Sequence, residues 1–174
     1  THNIFAIFMN IIMVIGLPGT GKTTFAKSLA ESLDAQHINT DVIRDAINKR
    51  GQYDPETKTR IYKEMQEQAE AALNKGQNVV LDGTFFKKEL RKPYRELATK
   101  YQANIYWMEI KAKEDEIRTR VSERRAYSEA DFEVYLKIKS QYEPLEAPHL
   151  ELWSDALDLP QMVKKAKDYI KARS

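Results

Sequence analysis

The sequence predicts an α/β fold, a parallel sheet with helices packed on both faces. Two short continuous apolar runs, Ile11-Ile12-Met13-Val14-Ile15 and Val79-Val80-Leu81, end in Gly16 and Asp82-Gly83, as strands buried on both faces do. Segments with apolar residues at helical spacing alternate with such runs from end to end. Strands joined through helices in this way cross over right-handedly, which forces a parallel sheet with helices on either side.

The first strand, 11–15, leads through a glycine-rich turn into a helix over 23–33, whose Phe25, Ala26, Leu29, Ala30 and Leu33 share one face. A second strand at 36–39 precedes a helix over 41–49, stopped by Gly51. Asp54-Pro55 is a capping aspartate followed by proline at the first helical position, and that helix runs to Asn74, before Gly76. The third strand is 79–83. The helix over 87–101 contains Pro93, which predicts a break or a start there. Residues 104–110 form the aromatic-rich fourth strand. A charged helix covers 114–125, and Ser128 with Asp131 three residues later opens another that ends before Pro144. Residues 150–153 form a fifth strand, and 160–172 a closing helix with Met162, Val163, Ala166, Tyr169 and Ile170 inward.

Length and composition fit one domain over 1–174, with 42% hydrophobic and 31% charged residues and a lid at about 113–143. A net charge of +2 neither demands nor excludes a nucleic-acid partner. Without cysteine there is no disulfide framework, thiolate metal site or cysteine nucleophile, as suits a reducing cytoplasm, and the three histidines lack zinc spacing. The apolar opening, 4–15, is shorter than the roughly 20 residues that span a bilayer and is flanked and broken by Asn3 and Asn10, so no membrane anchor is expected. It also lacks the pattern of a secretory signal. The absence of an initiator methionine suggests a module cut from a longer polypeptide.

Gly16-Leu17-Pro18-Gly19-Thr20-Gly21-Lys22-Thr23, followed by Thr24, is a phosphate loop placed where its mechanism needs it, between a buried strand and a helix. Its glycines let backbone N–H groups converge on phosphates, Lys22 reaches the β and γ oxygens, and the Thr23 hydroxyl is offered to magnesium. This predicts binding of a nucleoside triphosphate, ATP or GTP, with Mg2+. Asp41 and Arg44 follow the second strand, on the carboxyl edge of the sheet where the phosphate loop opens. Two readings of the pair stand. Asp41 takes the proton of an attacking hydroxyl and Arg44 clamps an anionic acceptor, or Asp41 caps its helix and Arg44 is solvated. Asp82 ends the third strand and either holds magnesium, directly or through water, or closes a turn. Arg118, Arg120, Arg124 and Arg125 crowd one helix, with Arg120 and Arg124 four apart on one face, a pair suited to a polyphosphate or to a solvated surface. Tyr94, Tyr101, Tyr106 and Trp107 read as packing, and His37 as packed or hydrogen-bonded.

Together the phosphate loop, Asp41-x-x-Arg44, Leu81-Asp82-Gly83-Thr84 and Arg120-x3-Arg124 resemble the polynucleotide 5′-kinase branch of the P-loop kinases, nearest to modules joined to an HD-type phosphohydrolase that heal RNA or DNA ends. The resemblance implies the P-loop kinase fold with five strands in the order 2-3-1-4-5, and an NTP donor with magnesium. It implies Asp41 as general base toward a 5′-hydroxyl, Arg44 on the acceptor side, and Lys22, Thr23, Arg120 and Arg124 on the phosphates. The partners implied are a nucleic-acid 5′ end and a fused phosphohydrolase domain. Related kinases with these motifs phosphorylate small alcohols, which is the competing expectation. An NTPase switch or AAA-type motor is disfavoured by the missing Asn-Lys-x-Asp motif and by the short chain.

Overall fold

The computed structural model describes residues 8–123 and 129–174. Strands β1 (Asn10–Ile15), β2 (Gln36–Asn39), β3 (Val79–Asp82), β4 (Asn104–Lys111) and β5 (Leu150–Trp153) form one sheet in the order β2-β3-β1-β4-β5. Every pairing is parallel. The helices are α1 (Lys22–Leu33), α2 (Thr40–Ala46), α3 (Pro55–Asn74), α4 (Lys88–Tyr101), α5 (Glu114–Ser122), α6 (Glu129–Gln141) and α7 (Leu159–Arg173). This is the expected fold, in the expected strand order.

The central position of β1 explains its uninterrupted apolar run. Ile11, Met13 and Ile15 point into a core shared with α2, α3 and α4, through Ile43, Ile61, Met65, Tyr94 and Leu97. Ile12 and Val14 point into a second core with α1 and α7, through Phe25, Leu29, Met162 and Ala166. Each such side chain contributes roughly 1.5–3 kcal/mol on burial, so no position from Ile11 to Ile15 tolerates a polar residue. A third, smaller cluster of Ile117, Val121, Phe132 and Tyr135 joins α5 to α6, with the Arg118 guanidinium 4.2 Å from the Phe132 ring centre. The expected lid helices thus carry a core of their own.

Two boundaries differ from expectation. Helix α2 ends at Ala46, because Asn48 takes the left-handed conformation (φ 58°) before Gly51 is reached. Helix α4 runs unbroken through Pro93. Pro93 forfeits one hydrogen bond, a loss of about 3 kcal/mol, but the same helix buries Arg91, Tyr94, Leu97 and Ala98, and that burial prevails. Residues 124–128, on which the end of the charged helix and Ser128 were expected, lie outside the described residues.

Arg91 is a structural residue that the sequence did not reveal. It is 1% exposed, donates from Nε to the Phe85 carbonyl at 2.7 Å, and reaches the carbonyls of Glu143 and Pro144 with its terminal nitrogens. The guanidinium anchors the segment that returns from α6 to β5. Burial lowers its pKa, yet an arginine remains charged and its donors are answered by carbonyls. Arg91→Met strips those carbonyls of their donors and is expected to destabilise the protein by about 2 kcal/mol, read as a lower urea midpoint with an unchanged slope.

Candidate active site

The phosphate loop leaves β1 at Gly16, whose φ is 150°. A Cβ there would sit 2.4 Å from the Ile110 carbonyl oxygen, so β4 packs against bare backbone and only glycine fits. Gly21 (φ 93°) turns the chain into α1 and serves as its N-cap without a side-chain hydrogen bond. Among the helices whose N-termini are described, α1 alone has neither a side-chain cap nor an acid in its first turn. Its N–H groups are thereby left for an anion from outside the chain. Lys22 Nζ folds over the loop to the Leu17 carbonyl at 2.8 Å. Thr20 is buried with its hydroxyl on the same carbonyl at 2.9 Å, so its backbone N–H is what it offers a phosphate. Pro18 and Gly19 are half-buried in the loop, and Thr23 and Thr24 are exposed in the first turn of α1.

Asn39, at the end of β2, joins three parts of this site. Its Nδ2 donates to Thr23 Oγ1 at 3.1 Å and to Asp82 Oδ2 at 2.7 Å. Its Oδ1 accepts the N–H groups of Asp41 (2.8 Å) and Val42 (3.0 Å), capping α2. Parallel pairing sets Asn39 beside Asp82 in register, which is why one side chain spans them. His37 Nε2 lies 3.0 Å from the same Asp82 oxygen, so this histidine is hydrogen-bonded, as expected. Asp82 is 1% exposed. A threonine hydroxyl and a buried carboxylate in one network form a hard-oxygen donor set of the kind magnesium takes, in part through water.

The cap of α2 is Asn39, which corrects the reading of Asp41 as the cap. Asp41 Oδ1 instead accepts from Arg44 Nη1 at 2.6 Å. The two side chains differ sharply in exposure, 72% for Asp41 against 9% for Arg44. Arg44 is fixed from behind, with Nε donating to the Gln52 carbonyl at 3.0 Å and its guanidinium 4.4 Å from the Tyr53 ring centre. A rigid cation therefore holds an exposed carboxylate in place.

On the other side of the loop, Arg120 donates from Nη1 to Ser154 Oγ (2.9 Å) and to the Gly19 carbonyl (3.3 Å), and from Nε to Glu116 (3.2 Å). The Ser154 hydroxyl donates to the Thr20 carbonyl at 2.6 Å. The β5–α7 turn and α5 are thus tied to the phosphate loop. Arg124 lies outside the described residues. Sequence reading missed Ser154, which no local motif marks, and Asn39, whose position at a helix start was a usable signal.

Beneath α5 and α6, the carboxyl ends of β4 and β5 floor a cavity of about 550 Å³, lined among others by Leu17, Glu109, Tyr142, His149 and Trp153. Glu109, His149 and Glu151 converge there, and Lys111 Nζ lies 3.4 Å from a carboxylate oxygen of each glutamate, offsetting one of the two negative charges. Among the described residues no helix is long and apolar enough to cross a membrane.

A family model described as AAA domain matches residues 11–145, most of the chain and all of the site except Ser154. The chain belongs to that family. This AAA-domain chain is 30% identical over 128 residues to an uncharacterized protein of Mycobacterium tuberculosis, a match covering 67% of this chain and 26% of the relative. It spans about a quarter of that relative's length. It is 35% identical over 128 residues to an adenylate kinase of Elusimicrobium minutum, covering 66% of this chain and 58% of the enzyme. Among solved structures, the APS kinase CysC of Mycobacterium tuberculosis, in complex with AMPPNP and APS, superposes with a TM-score of 0.78 at 16% identity, covering 94% of this chain and 98% of that one. A chain of the Pnkp1/Rnl/Hen1 RNA repair complex superposes with a TM-score of 0.64 at 22% identity, covering 82% of this chain and 49% of that one. The fold is that of the P-loop kinases.

Proposed function

We propose that the chain is a magnesium-dependent kinase that moves the γ-phosphate of ATP or GTP to the 5′-hydroxyl of a polynucleotide. The observation that carries this reading is the Asp41 carboxylate, exposed yet fixed by buried Arg44 on the sheet edge that carries the phosphate loop. The α1 N-terminus and Lys22 bind the β and γ phosphates, while Thr23 and, through water, Asp82 hold the metal. Magnesium, when bound, neutralises charge on the phosphate oxygens. Asp41 accepts the proton of the incoming hydroxyl as its oxygen bonds to the γ-phosphorus and the bond to the β–γ bridging oxygen breaks, releasing the nucleoside diphosphate. Arg44 holds Asp41 and faces the acceptor, and Arg120, with Arg124, meets the charge that shifts onto the leaving oxygen.

The surroundings of Asp41 favour a large acceptor. Val42 and Tyr53 beside it are 67% and 53% exposed, an open shelf rather than an enclosure. Small-molecule sites bury about 70–90% of their ligand, whereas the end of a long strand can rest on a shelf. The similarity to a chain of an RNA repair complex points the same way. A second reading, a kinase of small alcohols, draws on the cavity of about 550 Å³, within the usual range for such ligands. Asp41 and Arg44 do not line it, so an acceptor seated there would lack this base.

Incubation with γ-labelled ATP or GTP, magnesium and 5′-hydroxyl RNA and DNA oligonucleotides is expected to label the oligonucleotide end. Labelling of small alcohols in the same panel, with every oligonucleotide left unlabelled, would transfer the conclusion to the second reading. Turnover with water as the sole acceptor would remove both.

A further inference from the structure

Lys58, Lys87 and Lys137 come from three separate helical segments, the first turn of α3, the residue preceding α4, and the lid helix α6. Lys58 Nζ lies 5.1 Å from the Phe86 ring centre and Lys87 Nζ 5.9 Å from the same centre. Phe86 is itself fixed, because its carbonyl accepts the N–H of Glu143 in the segment that Arg91 anchors. Among the described residues none of the three lysines forms an ion pair, although nearby Lys88 is paired with Glu146 and Lys139 with Glu114.

Apart from its contact with the Phe86 ring, Lys58 is placed unfavourably. It is half-buried, and burial lowers its pKa, as do the charges of Lys137 and Arg44 next to it. It also stands in the first turn of a 20-residue helix, where the macrodipole disfavours a cation. Lys58 and Lys87 over one ring, with the charges of Lys137 and Arg44 acting on Lys58, form a group of cations that an anion on the acceptor side would stabilise. No run of basic residues in the sequence announces this group, because its members are about 30 to 50 residues apart.

We propose that Lys58, Lys87 and Lys137 form a subsite for a phosphate carried by the acceptor next to its reacting hydroxyl. The proposal rests on Asp41 and Arg44 marking the acceptor side. Two sources share this chemistry, the first internucleotide phosphate of a polynucleotide and the phosphate of a small phosphorylated alcohol.

Binding to protein saturated with MgADP separates them. The ligands are a 5′-hydroxyl dinucleotide, the same dinucleotide with an uncharged methylphosphonate linkage, and glycerol 3-phosphate. The charged dinucleotide is expected to bind about tenfold more tightly than its uncharged counterpart, and Lys58→Ala or Lys137→Ala to abolish that preference, with MgADP binding as the check that each variant is folded. Equal affinity for the two dinucleotides, variants that weaken both alike, or no binding of any of the three ligands overturns the subsite. A lysine-dependent affinity for glycerol 3-phosphate with none for the dinucleotide upholds the subsite and removes the polynucleotide reading.

Discussion

Asp41→Asn is expected to slow phosphoryl transfer by about 10²- to 10⁴-fold while nucleotide still binds. The substitution keeps the size of the side chain and leaves an oxygen for Arg44, but it removes the base that takes the hydroxyl proton. Folding should change little. Asp41 is largely exposed, so its ion pair with Arg44 is screened and contributes no more than about 1 kcal/mol. Arg44 also keeps its bond to the Gln52 carbonyl and its contact with Tyr53. Nucleotide affinity should persist because the phosphates are held by the loop, α1 and Lys22, none of which Asp41 touches among the described contacts. Single-turnover transfer of labelled phosphate, set beside displacement of a fluorescent nucleotide, separates the two quantities. Loss of nucleotide binding together with transfer would make Asp41 a structural residue and remove the central support for the proposed chemistry.

How much of this was legible in the sequence depended on how far apart the interacting residues lie. The phosphate loop is a local motif, and β1 announces itself because alternate residues enter two different cores, so a helix-flanked parallel sheet followed directly. The pairing of Arg44 with Asp41 is likewise local, at three positions. Contacts between Asn39 and Asp82 span 43 positions, those of Arg120 with Gly19 span 101, and Ser154 with Thr20 span 134. Only the sheet order brings such residues together, and periodicity carries no trace of them. The misread element, α4, failed for a related reason. Proline's penalty is local and visible, whereas the burial of Tyr94 and Leu97 that outweighs it depends on β1 and α3.

Asn39 offers the test of whether the metal side and the acceptor side of the site are built as one unit. Asn39→Ala removes the cap of α2, worth about 0.5–2 kcal/mol, and a hydrogen bond to the buried Asp82 carboxylate, worth about 1.5–3 kcal/mol. Stability should therefore fall by about 2–5 kcal/mol in urea unfolding. With Thr23 and Asp82 no longer held by a common donor, the magnesium needed for half-maximal transfer should also rise by about 10- to 100-fold, the usual effect of losing a group that orients metal ligands. Asn39→Ser separates the two roles. Serine caps a helix as well as asparagine does and adds no charge beside buried Asp82, so α2 and Asp41 stay in place, but its short side chain brings no N–H to Thr23 or Asp82. It should recover the stability owed to the cap and retain the altered magnesium dependence. A magnesium titration of Asn39→Ser that overlays the native one would reduce Asn39 to a helix cap, and Thr23 and Asp82 would then have to be oriented independently of the helix that carries Asp41.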